Sequence, residues 1–204
     1  MQVTKRDGRK EDFSVEKIHK VVQWTTKGIN GVSFSDIEMN ANLSLYDGIH
    51  SQQIHQILIR SANDLISVSS PNYQYVAARL LNMQLRKNVW GYGDRPIDFL
   101  IFLEKNIDNG VYDPNILKKW DKEQVELFGK YINHYRDDLF TYAGLQQLID
   151  KYLVKNRSSG DIYETPQFAY MCIAMCLFDS VEEVKKAYDC YSTFKINLPT
   201  PIMA

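Results

Sequence analysis

The sequence predicts a mainly α-helical protein that begins with a small β-hairpin. Apolar residues recur at three- and four-residue spacing through most of the 204 residues, as they do in amphipathic helices. Two short extended runs near the N-terminus flank an Asp-Gly pair, which is typical of a hairpin turn. Glycine and proline then interrupt the pattern at intervals of about one helix length. No apolar run reaches the ~20 residues that a membrane-spanning helix needs.

The hairpin is predicted over residues 3–5 and 10–13, on either side of Asp7 and Gly8. Ser14 follows at a position typical of a helix N-cap, and an apolar-periodic segment begins after it. Backbone N–H groups, the helix dipole and the Lys and Arg side chains would then all face an anion at this helix start. The N-terminus therefore points to a phosphate-bearing ligand.

Four helices are expected behind the hairpin, separated by glycine and proline. Gly28, Gly48 and Pro71 mark their ends and starts, and the glycines and proline of residues 91–96 mark a domain boundary. The predicted spans are 14–27, about 35–46, 51–66 with Ser51 as the cap, and about 72–89.

The second half is predicted to be helical until its last residues. The helix spans are 97–109, 114–120, 123–131, 139–153, 166–178 and 181–191. Residues 192–204 contain β-type side chains and two prolines, which indicates the start of a strand that needs a partner.

Composition excludes several function classes. The net charge of −1 gives no bulk attraction to nucleic acid or to an anionic membrane, and no signal peptide begins the chain. Three cysteines are an odd number, so a disulfide framework is not expected and the protein is predicted to be cytoplasmic. Cys172 and Cys176 share a helix face and are expected in the core rather than on a metal, because no other ligand lies nearby. His134 and Asp137 are expected on a solvated helix face rather than as a catalytic pair.

Several sequence blocks resemble the large (α) subunit of class I ribonucleoside-diphosphate reductase of enteric bacteria and their large phages. The blocks that resemble its ATP-cone domain are 1–17, 46–49, 71–79 and 85–87; those that resemble the region after it are 152–154, 162–164, 166–168, 192–194 and 198–203. The resemblance implies an ATP cone over 1–92, a hairpin cap on a four-helix bundle. It implies a helical domain over 93–191 and, over 192–204, the truncated start of the first strand of an α/β barrel. The barrel cysteines that perform the chemistry are not in this sequence, so the chain alone is expected to be inactive.

The same resemblance implies an allosteric site for ATP or dATP, bound with Mg²⁺, and no metal held by the chain itself. Its lysines would meet phosphate oxygens, the backbone of 11–14 would hydrogen-bond to adenine, and the Ser and His would approach the ribose or phosphates. The implied residues are Val3, Lys5, Arg6, Glu11, Asp12, Phe13, Ser14, Val15, Glu16, Lys17, Trp24, Ser51, His55 and Lys87. Taken singly they have ordinary interpretations: a solvated turn for the hairpin, a helix C-terminal cation for Lys87 and a core position for Trp24. Thr200 matches a substrate-binding threonine.

As function, the resemblance implies reduction of ribonucleoside diphosphates to deoxyribonucleotides for DNA synthesis. The partners implied are a C-terminal companion chain, the small β subunit with its metal-radical cofactor, and a thioredoxin- or glutaredoxin-like reductant, with no nucleic acid or membrane. The alternative is a stand-alone nucleotide-binding regulatory fragment. A transcriptional regulator with an ATP cone is disfavoured, because the zinc ribbon of such proteins needs two Cys-x-x-Cys pairs that are absent here.

Overall fold

The computed structural model describes residues 1–5, 7–91, 96–199 and 202. This part of the chain is mostly helical, with one antiparallel two-stranded sheet, as the sequence predicts. It divides into two compact units: Met1–Gln84 with Phe140–Leu145, and Leu85–Leu139 with Gln146–Ala204. None of the helices in the described ranges is long and apolar enough to cross a membrane.

The hairpin consists of β1 (Gln2–Thr4) and β2 (Lys10–Asp12), paired so that Val3 lies opposite Glu11. The turn depends on Gly8, whose φ of +83° lies in the left-handed region that glycine adopts without strain. The predicted hairpin is confirmed.

Four helices follow the hairpin: α1 (Val15–Thr26), α2 (Phe34–Asn42), α3 (Ser51–Asp64) and α4 (Tyr73–Trp90). Ser14 caps α1 as predicted, because its hydroxyl accepts a hydrogen bond from the Lys17 amide. Two predicted boundaries are wrong. The cap of α3 is His50 rather than Ser51, which is the first helical residue, and α2 ends at Asn42 rather than near residue 46.

The core of the first unit lies between these four helices. Val22, Ile37, Leu58 and Leu80 are almost wholly buried, one from each helix in turn. Their burial follows from the apolar stripes that the sequence places on each helix. The remaining buried members of the cluster are Ala41, Ile59, Ala62, Tyr73, Val76 and Ala77.

The second unit is built from short helices around an aromatic core. Phe168 contacts Phe99 and Phe102, with ring centroids 5.2 and 4.3 Å away. Its elements are the end of α4, α5 (Phe99–Asp108), α6 (Asn115–Lys119), α7 (Lys122–Tyr131), a 3-10 segment (His134–Leu139), most of α8 (Tyr142–Lys151), α9 (Pro166–Leu177) and α10 (Val181–Ser192). The 3-10 segment was not predicted, because it carries no apolar periodicity.

The expectation that both thiols of α9 lie in the core is wrong for Cys176, which is exposed, whereas Cys172 is partly buried. Met171 and Met175 occupy the core face instead. Residue 176 follows Met175 by about 100° around the helix, which turns its side chain outward. The local spacing of two cysteines could not show which of the neighbouring residues faces inward.

The described residues after α10 form turns and irregular backbone. Phe194 takes a positive φ of 58°, which ends the helix. The predicted barrel strand has no paired strand here, and most of residues 200–204 lie outside the described ranges, so it stays a prediction.

Candidate functional site

The hairpin is held against the loop that leads into α3. The Thr4 amide donates to the Ile49 carbonyl (2.9 Å) and the Gly48 amide donates to the Gln2 carbonyl (2.9 Å). The Gln2 amide also donates to the Asp47 carboxylate at 2.6 Å. These bonds place β1 beside the start of α3, while β2 leads directly into the start of α1. The N-terminal ends of α1 and α3, where the helix dipole is positive, therefore both lie beside the hairpin.

Two cations converge on one carboxylate at this hairpin. The ammonium groups of Lys5 and Lys17 each lie 3.3 Å from the same oxygen, Oε2 of Glu11. Hydrogen bonds from Lys5 and then Lys17 lower the pKa of the Glu11 carboxyl below its ordinary value. The arrangement can hold a second anion, because both ammonium groups are at least partly exposed and each keeps further donors.

The other predicted residues of this segment divide between buried and exposed positions. Val3 is 7% exposed and anchors β1, and the Phe13 amide donates to the Met1 carbonyl at 2.9 Å. Asp12, Val15 and Glu16 are exposed, and Glu16 pairs with Lys20 one turn along α1 rather than with the hairpin lysines. The structure thus brings together Lys5, Glu11 and Lys17 most directly.

Ser51 and His55 lie one turn apart on α3, as predicted, and both are partly buried. The His55 Nε2 atom is 2.7 Å from the Leu80 carbonyl on α4. A carbonyl can only accept, so Nε2 carries a proton and the ring is oriented by that bond. Ser51 is the first residue of α3, at the helix end that lies beside β1.

The other predicted residues lie on α1, on α4 or outside the described residues. Trp24 is 48% exposed and lies nine residues beyond Val15, about 14 Å along α1 from its start. Its side chain is therefore not part of the core, and its place in the nucleotide site stays a prediction. Lys87 lies in the last turn of α4, in the second unit. Arg6 and Thr200 fall outside the described residues.

A buried polar network in the second unit was missed by the sequence analysis. The Asp137 carboxylate is fully buried and accepts hydrogen bonds from Arg86 and Gln167, both at 2.9 Å. Tyr188 extends the network by donating to Gln167 Oε1 at 2.7 Å. The expectation of a solvated face for His134 and Asp137 is wrong. No local signal could show this, because the partners of Asp137 lie 51 and 30 residues away along the chain.

His134 lies beside this network. Burial, followed by the nearby Arg86 charge, lowers the pKa of the His134 imidazole to about 4. Its ring packs edge-on against Trp90 and Phe168, and its buried Nδ1 has no hydrogen-bond partner. The imidazole is thus neutral at physiological pH. Among the described residues, no three His, Cys, Asp or Glu side chains converge as metal ligands.

Comparison with known families gives two matches that together cover most of the chain. Residues 1–88 match the ATP cone domain, and residues 138–204 match the all-alpha domain of ribonucleotide reductase. The first match contains the hairpin and α1–α3 with most of α4, and the second contains Thr165–Gln167 and α10.

Curated relatives match over almost the whole chain. The ribonucleoside-diphosphate reductase 1 subunit alpha of Salmonella typhimurium is 44% identical over 99% of this chain, and that of Escherichia coli is 43% identical over 99%. The ribonucleoside-diphosphate reductase subunit alpha of Enterobacteria phage T4 is 41% identical over 100%. The chain spans only 27%, 27% and 28% of the length of these three relatives.

Proposed function

Because the chain belongs to the ribonucleotide reductase large-subunit family, we propose that its first unit binds ATP or dATP as an allosteric effector at the hairpin. The observation that supports this most is the convergence of Lys5 and Lys17 on Glu11 between the starts of α1 and α3. The triphosphate would displace the Glu11 carboxylate and take both ammonium groups, with Mg²⁺ arriving on the nucleotide. Charge-assisted hydrogen bonds of this kind are short and strong.

The remaining predicted residues would complete the site. The backbone of residues 11–14 would hydrogen-bond to the adenine edge, and Ser51 and His55 would approach the ribose or phosphates. In this proposal the bond between His55 and Leu80 fixes the imidazole before the nucleotide arrives. Arg6 and Lys87 would add two further cations.

We further propose that the chain acts in the reduction of ribonucleoside diphosphates for DNA synthesis. It would supply nucleotide sensing, a scaffold and a substrate contact from Thr200, in the cytoplasm. The remaining large-subunit sequence, as a companion chain, would supply the radical and redox cysteines. The small β subunit would supply the radical, and a thioredoxin- or glutaredoxin-like protein would supply electrons. The chain alone would not reduce substrate.

The alternative is a stand-alone nucleotide-binding module without reductase chemistry. Both proposals include effector binding, so they are separated by co-purification from the native host and by mixing. A companion chain that restores ribonucleoside-diphosphate reduction would support the assembled enzyme. A chain that stays single and inactive with every large-subunit remainder would support the module.

Effector binding is tested by titration calorimetry with ATP and dATP. We expect binding by the unmodified chain and a loss of roughly 1.5–3 kcal/mol of binding free energy for Lys5→Ala and for Lys87→Ala. Lys10→Ala is the matched control, since Lys10 is exposed on the same hairpin but outside the predicted set. Absence of binding by the unmodified chain at millimolar nucleotide would overturn the proposal.

A further inference from the structure

Two Asn-Gly pairs in this chain share their local sequence. Residues 30–32 and 109–111 both read Asn-Gly-Val, and the sequence contains no other Asn-Gly pair. Both pairs are exposed, and their glycines, Gly31 and Gly110, have nearly equal φ angles of +72° and +68°. Asparagine is chemically labile on heating, and a glycine after it leaves the side-chain amide open to attack because glycine has no side chain. A difference in reactivity between the two pairs therefore has to come from the fold.

The two pairs differ in the hydrogen bond of the glycine amide. The Gly110 amide donates to the Ile107 carbonyl at 2.9 Å, and the next amide, that of Val111, donates to the Asn106 carbonyl at 2.8 Å. These bonds close the C-terminal end of α5. Within the described ranges the Gly31 amide donates no hydrogen bond, and it lies in the turn between α1 and α2. The Gly110 nitrogen is thus held by a helix end, whereas the Gly31 nitrogen is open to water.

The turn that contains Gly31 is fixed on both sides of this nitrogen. The Asn72 side chain donates from Nδ2 to the Asn30 carbonyl at 2.9 Å, and the Ser33 amide donates to the Tyr73 hydroxyl at 3.0 Å. Both partners lie at the start of α4, in the same unit as the turn. The fold therefore holds the backbone around the pair and leaves the reacting nitrogen exposed.

We propose that Asn30 is a site of spontaneous deamidation, and that the fold protects Asn109 from the same reaction. The Gly31 nitrogen loses its proton and forms a bond to the carbonyl carbon of the Asn30 side chain. The bond from that carbon to the side-chain nitrogen breaks, and the nitrogen leaves as ammonia with a proton. Water then opens the five-membered succinimide. No oxidant, reductant or cofactor takes part, and the inference does not depend on the proposed function.

The opening of the ring gives two products. Water that attacks the former side-chain carbon gives aspartate, and water that attacks the main-chain carbon gives isoaspartate, whose backbone is one methylene longer. Either product adds one carboxylate and changes the formal net charge of the chain from −1 to −2. In isoaspartate the main-chain carbonyl of residue 30 becomes the free carboxylate, so the backbone acceptor of Asn72 is lost. The modification therefore alters the turn between α1 and α2 as well as its charge.

The first test compares the two pairs within one molecule. The 204-residue chain is kept in warm, mildly alkaline buffer, either folded or in guanidinium chloride, and conversion at residues 30 and 109 is followed by peptide mass spectrometry. In the folded chain we expect conversion at Asn30 to be at least tenfold faster than at Asn109. In denaturant the two rates should be similar, because both pairs are followed by valine.

Two results of this test would overturn the proposal. One is equal conversion of Asn30 and Asn109 in the folded chain. The other is an intact Asn30 in the folded chain after a time in which the denatured chain has converted. Circular dichroism of the incubated sample shows that the chain stayed folded during the measurement.

The second test concerns the consequence for the turn. Anion exchange separates the converted chain by its added charge, and fragmentation by electron transfer identifies the isoaspartate fraction. Its urea midpoint should lie below that of Asn30→Asp, the matched control, which carries the same charge but keeps the backbone carbonyl that accepts from Asn72. Equal midpoints would overturn the structural consequence assigned to isoaspartate.

Discussion

Arg86 donates a 2.9 Å hydrogen bond to Asp137, whose side chain has no exposed surface. The Arg86 side chain is itself only 11% exposed and also donates to the His134 carbonyl at 2.6 Å. The pair joins the end of α4 to the 3-10 segment within the second unit. Removing one member of such a pair leaves the other charge buried and uncompensated.

Asp137→Asn should therefore destabilise the second unit by about 3–5 kcal/mol, although the side chain keeps its shape. Urea unfolding followed by circular dichroism measures the free energy of unfolding. Asp64→Asn is the control, because Asp64 pairs with Arg60 at 3.7 Å on the exposed face of α3. That pair should contribute less than about 0.5 kcal/mol. Equal effects of the two substitutions would contradict the importance of burial.

The pH dependence of stability should contain a contribution from His134. Its folded pKa of about 4 lies below the ordinary value of 6.5, so between these pH values the unfolded chain binds a proton that the folded chain does not. Stability is then lost as the pH falls from about 6.5 towards 4. From pH 7 to pH 5 this group alone should cost about 2 kcal/mol.

His134→Phe provides the comparison for that effect, because an aromatic ring can fill the space between Trp90 and Phe168. Urea unfolding at pH 5 and pH 7 should show the smaller pH dependence in the variant. If both proteins lose the same free energy of unfolding between these pH values, the imidazole is not the group responsible.

Tyr188→Phe should destabilise the second unit by roughly 1–3 kcal/mol. The Tyr188 hydroxyl accepts from the Asn133 amide at 2.9 Å and donates to Gln167 Oε1 at 2.7 Å, and the ring is fully buried. The substitution leaves the Asn133 amide and the Gln167 oxygen without this partner. Tyr135→Phe, at a side chain 83% exposed, should change the free energy of unfolding by less than about 0.5 kcal/mol. Thermal or urea unfolding distinguishes the two variants.

Glu11→Gln should increase affinity for ATP several-fold. In the structure the Glu11 carboxylate forms ion pairs with both Lys5 and Lys17, and its negative charge repels an incoming phosphate. Glutamine removes that charge and leaves the backbone of β2 unchanged. Calorimetry measures the affinity, and Glu38→Gln serves as control because Glu38 lies outside the predicted set and pairs with His19 instead. A weaker affinity in Glu11→Gln would show that the carboxylate itself contacts the nucleotide or its metal.

The local features of this protein follow from its sequence, and the long-range features do not. The hairpin and the Ser14 cap depend on residues within a few positions of one another, and both are found as predicted. The end of α2 was predicted too far along the chain. Residues 47–49 form hydrogen bonds with β1, more than 40 residues earlier, and local sequence does not show such bonds. Burial of Asp137 was missed for the same reason.

The candidate site divides in the same way. Lys5, Glu11 and Lys17 are close in sequence, and the turn at Gly8 with the start of α1 is enough to bring them together. Trp24 was grouped with them by resemblance and lies near the end of α1, so its place in the site stays a prediction.

The hairpin has consequences for how the first unit moves. Each strand has three residues and only Val3 is buried. A two-stranded sheet of this size is marginally stable in water by itself, and here it is held by the bonds of Gln2 and Thr4 to residues 47–49. Its amide protons should therefore exchange with solvent through a local opening that leaves the helical core closed. An effector bound across both strands would slow that exchange. Binding would therefore be observed as greater protection of the N-terminal amides, without a change of fold.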